Sequence, residues 1–166
     1  MKKIRTLVFV GLLIAMNIIL TRFLSIQTPI VRISFGFLPA SLSGILFGPV
    51  IGGITCGLSD VMGMIVYPKG AYFPGFTLSG IVGGVIYGLM LYKKPKTVLN
   101  ITAAVIVAAI IPDLILDTLW LKIITGKAVY AIIVPRLLSI IAMIPVKVIS
   151  IKTVLYSLKS VVAEIN

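Results

Sequence analysis

Charged side chains are almost missing from most of this chain. Residues 6–21 and 76–92 hold none, residues 37–66 hold only Asp60, and residues 97–121 hold only Asp113 and Asp117. A helix needs roughly 20 apolar residues to cross the hydrocarbon of a bilayer. A water-soluble domain could not hide so much apolar surface. With 60% hydrophobic residues in 166 positions and a mean hydropathy of +1.22, the chain reads as an integral membrane protein. Its fold class is predicted to be all-α, one transmembrane domain built as a six-helix bundle.

The breaks between apolar runs set the spans. The start, MKKIRTLVFVGLLIAMNIIL, mimics a signal peptide, but no small-residue cleavage site follows and the run is long enough to cross. It is taken as a first helix over 4–24. The FGPV turn at 47–50 divides the next run into helices over 37–48 and 50–66. YPKGAYFPG at 67–75 is a loop, and a fourth helix covers 76–92. After KKPK at 93–96, a fifth helix covers 97–121, with a kink expected at Pro112. KIITGKAVYAIIV at 122–134 is expected to be a loop or re-entrant piece. The sixth helix then starts near Pro135, a favoured first-turn residue, and runs to about 160.

Lysine and arginine orient the spans. Lys2, Lys3, Arg5, Lys93, Lys94, Lys96, Lys152 and Lys159 fall on one side, so both termini are expected to be cytoplasmic. Arg22, Arg32, Lys69, Lys122, Lys127 and Arg136 fall on the other. So many outward cations call for either headgroup contact by snorkelling or an anionic ligand. The net charge of +11, a nucleic-acid signal in a soluble protein, here reports topology and anionic lipid.

Several functions are excluded. There is no histidine, Cys56 is the lone cysteine, and only four acids exist: Asp60, Asp113, Asp117 and Glu164. A carboxylate metal cage is hard to build from so few acids, and a catalytic serine with histidine is impossible, so no metal, catalytic residue or cofactor is expected. Ser59 beside Asp60 is the nearest approach to a nucleophile and base. No G-x-x-x-x-G-K-[ST] loop occurs, since Gly126-Lys127 is followed by Ala128, so energy for any transport must come from other subunits. A passive channel would want a more polar lining.

The remaining polar residues suggest a binding site. Asp113 and Asp117 are four apart and share a helix face, which Trp120 extends. Asp113 lies about 12 Å along the helix from Leu121, and a carboxylate at depth needs a cation, water or a ligand with donors. Arg32, Lys122 and Arg136 are candidate partners. A buried ion pair without ligand is the plain alternative. Asp60, between Gly57 and Gly63, is expected to cap or bridge a neighbouring backbone. Phe35, Phe37, Tyr72, Phe73 and Phe76 crowd into two outer loops, joined by Trp120. They form either an interfacial belt or the cover of a flat heterocycle. Gly44/Gly48/Gly52, Gly53/Gly57 and Gly80/Gly84/Gly88 repeat at the small-residue spacing of close helix packing. Gly11 and Ala15 form a shorter version on the first helix, open to a partner.

RFLSIQTPIVRISFGFLP, the FGPV turn, GLSDVMG, YFPGF, LDTLW and PRLL together resemble the folate-specific substrate-binding subunit, or S component, of energy-coupling factor (ECF) vitamin transporters. The resemblance covers nearly the whole chain, and RISFGFLP is its most specific part. It implies a multi-pass protein of the bacterial cell membrane that captures folate from outside. It also implies a coupling transmembrane (T) protein and two cytoplasmic ATPases as partners, with Gly11 and Ala15 as the docking face. Toppling within the bilayer would deliver the cargo. The family commonly carries asparagine where this chain has Asp117, and aspartate keeps the acceptors while losing the donors. Asp113 or Asp117 would accept from the pterin N–H groups, the loop aromatics would cover the ring, and Arg32, Lys122 or Arg136 would meet the glutamate tail. An S component for another flat vitamin, such as thiamin or riboflavin, and a small membrane protein without a ligand are the other readings.

Overall fold

The computed structural model describes residues 2–27, 32–68 and 72–158, except for the side chains of Lys2, Lys3, Gln27 and Arg32. The described residues form six consecutive helical rods, five of them long and apolar enough to cross a membrane. α1 (Lys2–Ile18) passes without a break into a π-helical turn, Ile19–Phe23. A small antiparallel hairpin follows, with β1 (Ser25–Gln27) paired to β2 (Arg32–Ser34) so that Gln27 faces Arg32 and Ser25 faces Ser34. This hairpin was not evident from periodicity, because strands of three residues are too short to alternate visibly.

α2 (Phe37–Phe47) is too short to span and is heavily buried. It turns into α3 (Pro49–Val66) at Gly48, whose φ of 90° lies where a side chain is disfavoured. Pro49 then opens α3 in the first turn, where its missing N–H costs nothing. α4 (Pro74–Leu91) packs against both. The glycine repeats lie in this three-helix seam, apart from Gly80, where a Cβ would meet nothing within 4 Å. A Cβ on Gly84 would collide with the Gly52 main chain and meet Cys56 Sγ at 2.8 Å, and one on Gly44 would sit 2.7 Å from Gly88 N. Backbone-to-backbone contact is what a small residue every fourth position provides.

The next rod is continuous but changes register: α5 (Val98–Ala108), a π-helical segment (Ala109–Leu116) and α6 (Asp117–Thr125). The register change centres on Pro112, which lacks the N–H that an α-helical ladder would use. Instead of a simple kink, the helix widens by one residue per turn.

The expectation of a loop or re-entrant piece at 122–134 is corrected. α6 continues to Thr125, Gly126 ends it in the left-handed conformation (φ 64°), and α7 (Val129–Ser157) begins after two more residues. The expected helix start at Pro135 is therefore also corrected. Ile132 is anchored in the core at 1% exposure, which holds the preceding turn helical, and Pro135 falls inside α7. Residues 159 and 160 of the expected sixth helix lie outside the described residues. Ile45, Leu91, Ile101, Ala104, Val105 and Ile151 form the driest part of the core, where α2, α4, α5 and α7 converge.

Candidate functional site

Four charges meet between the π-helical segment, α6 and α7. Lys147 Nζ lies 2.7 Å from Asp113 Oδ2, and Arg136 Nη2 lies 3.2 Å from Asp117 Oδ2. The same Arg136 nitrogen donates to the main-chain oxygen of Asp113. That carbonyl is accessible because of the register change: the Asp117 N–H bonds to Pro112 O, one residue further back than in an α-helix. The two cations belong together on α7. Eleven residues are about three turns, so Arg136 and Lys147 share a face to within roughly 20°.

Of the partners expected for the two aspartates, Arg136 is in place. Lys122, in the last turn of α6, is exposed and makes none of the described contacts with the cluster. Arg32 lies in β2 opposite Gln27, and its side chain is outside the described residues. Lys147 was not anticipated. Its position within an apolar run, eleven residues after Arg136, was the available signal.

The aromatics fall into two sets. Phe73 at the mouth of α4 packs on Trp120 (centroids 5.7 Å apart) and on Phe76 (6.1 Å). Trp120 Nε1 donates to Ser79 Oγ at 3.1 Å, and the Ser79 hydroxyl is close to the Asp117 carboxylate. The second set is Phe35 and Phe37, 5.9 Å apart at the end of the hairpin. Phe35 is exposed, while Phe37 is buried beneath it with Lys147 Nζ 5.9 Å from its centroid. Tyr72 is half exposed and its hydroxyl lies 3.2 Å from Thr77 Oγ1. It also borders an open apolar groove of about 370 Å³ lined by Val61, Met64, Ile65 and Pro68, which contains none of the four charges.

A second charged network was missed entirely. Arg22, in the π turn after α1, is only 3% exposed and bonds Asp60 Oδ1 at 2.9 Å, Asp60 O at 3.2 Å and Met64 Sδ at 3.1 Å. Thr77 Oγ1 donates to Asp60 Oδ2 at 2.7 Å. Asp60 thus holds an arginine and a threonine, where a backbone-bridging role was expected. Gly63 makes room, since a Cβ there would stand 2.7 Å from Arg22 Nε. Arg22 is therefore no headgroup-facing cation.

Polar atoms left over point to where something else could bind. Asp117 Oδ1 and Thr118 Oγ1 are buried without a hydrogen-bond partner at bonding geometry among the described residues. A buried acceptor left unsatisfied is costly, and Asp117 Oδ1 lies one helical turn from Trp120. No group of three metal-ligating side chains occurs among the described residues.

A membrane-embedded helical bundle with a balanced charge cluster, an unsatisfied carboxylate oxygen and aromatic side chains nearby belongs to the class of membrane proteins that hold a small polar molecule. The comparisons with known proteins narrow that class. Residues 5–159 match the family model for the ECF transporter, substrate-specific component. The chain belongs to this family, whose members are substrate-binding transport subunits rather than enzymes. It is 49% identical to a folate transporter, FolT, of Clostridium novyi (strain NT), over 88% of this chain and 85% of that protein. It is 29% identical to FolT of Leuconostoc mesenteroides subsp. mesenteroides, over 87% of this chain and 80% of the relative. Its fold matches a crystal structure of FolT bound with folic acid with a TM-score of 0.83, 38% identity and 88% coverage of both chains.

Proposed function

We propose that this protein is the high-affinity folate-binding S component of an ATP-driven ECF vitamin uptake transporter. The observation that carries the reading is 49% identity, over 88% of the chain, to a relative named as a folate transporter. The site chemistry agrees with it. A pterin ring offers N–H donors, and Asp117 Oδ1 is a buried acceptor in want of one. Asp113 has its carboxylate engaged by Lys147, so the ring-accepting role falls to Asp117, with Asp113 as its support. Phe73, Phe76 and Trp120 on one side, and Phe35 and Phe37 on the other, cover the ring, with Tyr72 contributing from the loop before α4. Arg136 lies within the site, and Arg32 and Lys122 at its rim meet the glutamate tail. Charge-assisted hydrogen bonds of this kind contribute about 1.5–3 kcal/mol each.

Folate enters from the extracellular side, and both termini are cytoplasmic. The partners are a coupling transmembrane protein and two cytoplasmic ATPases, since this chain carries no phosphate-binding loop. Gly11 and Ala15 are both exposed, and nothing lies within 4 Å of a Cβ placed on Gly11. That open face of α1 is where the coupling protein docks.

Trp120 is the only tryptophan in the chain, so quenching of its emission reports occupancy directly. Titration of the purified protein with folic acid should give saturable binding in the nanomolar to low micromolar range, with thiamin and riboflavin unable to compete. Failure to saturate with folic acid, or equal competition by riboflavin, overturns the reading.

A further inference from the structure

We infer that Lys147 is a positioning residue of the substrate site: it holds the Asp113 carboxylate away from Arg136, so that Arg136 stays on Asp117. The inference rests on folate being the ligand. Lys147 lies eighteen positions after the start of α7 and ten before its end, about 27 Å and 15 Å along the axis. Its side chain is 14% exposed. A cation this deep in a span needs a partner, and Asp113 supplies one at 2.7 Å. A pair of this kind, buried on the lysine side only, is weak evidence for stability. What this pair does is set geometry.

Arg136 Nη2 already bonds the main-chain oxygen of Asp113 and one carboxylate oxygen of Asp117. It therefore stands near the residues that carry two carboxylates, Asp113 through its main chain and Asp117 through its side chain. Lys147 occupies the first of them, leaving Arg136 to orient the second with its Oδ1 unsatisfied. The Lys147 ammonium also lies 5.9 Å from the centre of the Phe37 ring, within the range of cation–π attraction. One side chain thus ties the root of the hairpin's aromatic end to the floor of the charge cluster. Without Lys147, Asp113 becomes an unpaired carboxylate within a membrane span, its side chain 38% exposed, so Arg136 turns to it and Asp117 is no longer oriented.

A double-mutant cycle read by Trp120 quenching with folic acid tests this. Lys147→Met should weaken binding at least about tenfold in the wild-type background but less than about threefold in an Asp113→Asn background, because no carboxylate remains there to capture Arg136. Lys147→Arg, which keeps the charge, should restore affinity to within about threefold of wild type. Wild-type affinity in K147M overturns the inference. So does an equal loss in both backgrounds, which would mean that Lys147 touches the ligand itself. If K147M alone does not fold, the comparison of K147M/D113N with D113N decides: similar affinity supports the inference, and loss of binding overturns it. Absence of folic acid binding by the wild type would instead refute the proposed function, before any variant is compared.

Discussion

Gly80, Gly84 and Gly88 lie on one face of α4 at equal spacing, yet the structure gives them different roles, and alanine separates them. A Cβ on Gly84 would run into the Gly52 main chain and Cys56 Sγ, and one on Gly88 into the Pro49 main chain; on Gly80 it meets nothing within 4 Å. Replacing a helical glycine with alanine gains about 0.5–1 kcal/mol of backbone entropy. That gain is common to both sites and cancels in their difference. What remains is the overpacking cost at Gly84, about 1–3 kcal/mol where the obstruction is main chain and cannot swing aside. For a chain of this size each kcal/mol moves the melting temperature by about 2–4 °C, so Gly84→Ala should melt roughly 2–12 °C below Gly80→Ala. Gly80→Ala itself should lie at or slightly above wild type. Cys56 is buried and is the only cysteine, so a fluorogenic maleimide reports unfolding in detergent, with Trp120 emission as a second probe. If the two variants melt within about 1 °C of each other, the close approach of α3 and α4 is not what these glycines provide.

Arg22→Met leaves Asp60 with Thr77 alone. Breaking a buried pair costs about 3–5 kcal/mol, and the partial exposure of Asp60 brings this to about 2–3 kcal/mol. The same thermal assay should show a clear fall in melting temperature, recovered in part by adding Asp60→Leu; an unchanged melt would remove this network from the stability account. Asp117→Ala should weaken folic acid binding by at least about tenfold, roughly 1.4 kcal/mol, while the protein stays monodisperse. Retained affinity would place the ring acceptor elsewhere. Gly11→Leu fills the open face of α1, so co-purification with the coupling protein should be lost while folic acid titration is unchanged. Normal assembly of that variant would move the docking face off α1.

The spans were legible because apolar length is a one-dimensional property. The α2–α3 turn was legible because Gly48 and Pro49 do locally what their types do anywhere. The register change at Pro112 was not, because a proline announces a lost hydrogen bond without saying whether the helix bends or widens. The helical start of α7 was hidden for a similar reason: Pro135 is a good first-turn residue, and only the burial of Ile132 carries the helix six residues upstream. Charge pairing failed more instructively. Arg22 meets Asp60 across thirty-eight positions and Lys147 meets Asp113 across thirty-four, so neither pair leaves a local pattern. The bilayer nevertheless restricts the possibilities. A charge inside hydrocarbon must be matched or reach an interface, and long cationic side chains near span ends reach it by snorkelling. Arg5, Lys122 and Lys152 are close enough to span ends to do so, as is Arg22, which the structure instead turns inward to Asp60; Arg136 and Lys147 are left against Asp113 and Asp117. Three cations face three acids, and the structure pairs them one to one. With Arg136 and Lys147 matched by Asp117 and Asp113, the cluster carries no net charge at its depth. Under the proposed folate site, a neutral, hydrogen-bonding ring suits this cluster, and the ligand's carboxylates would belong at the rim.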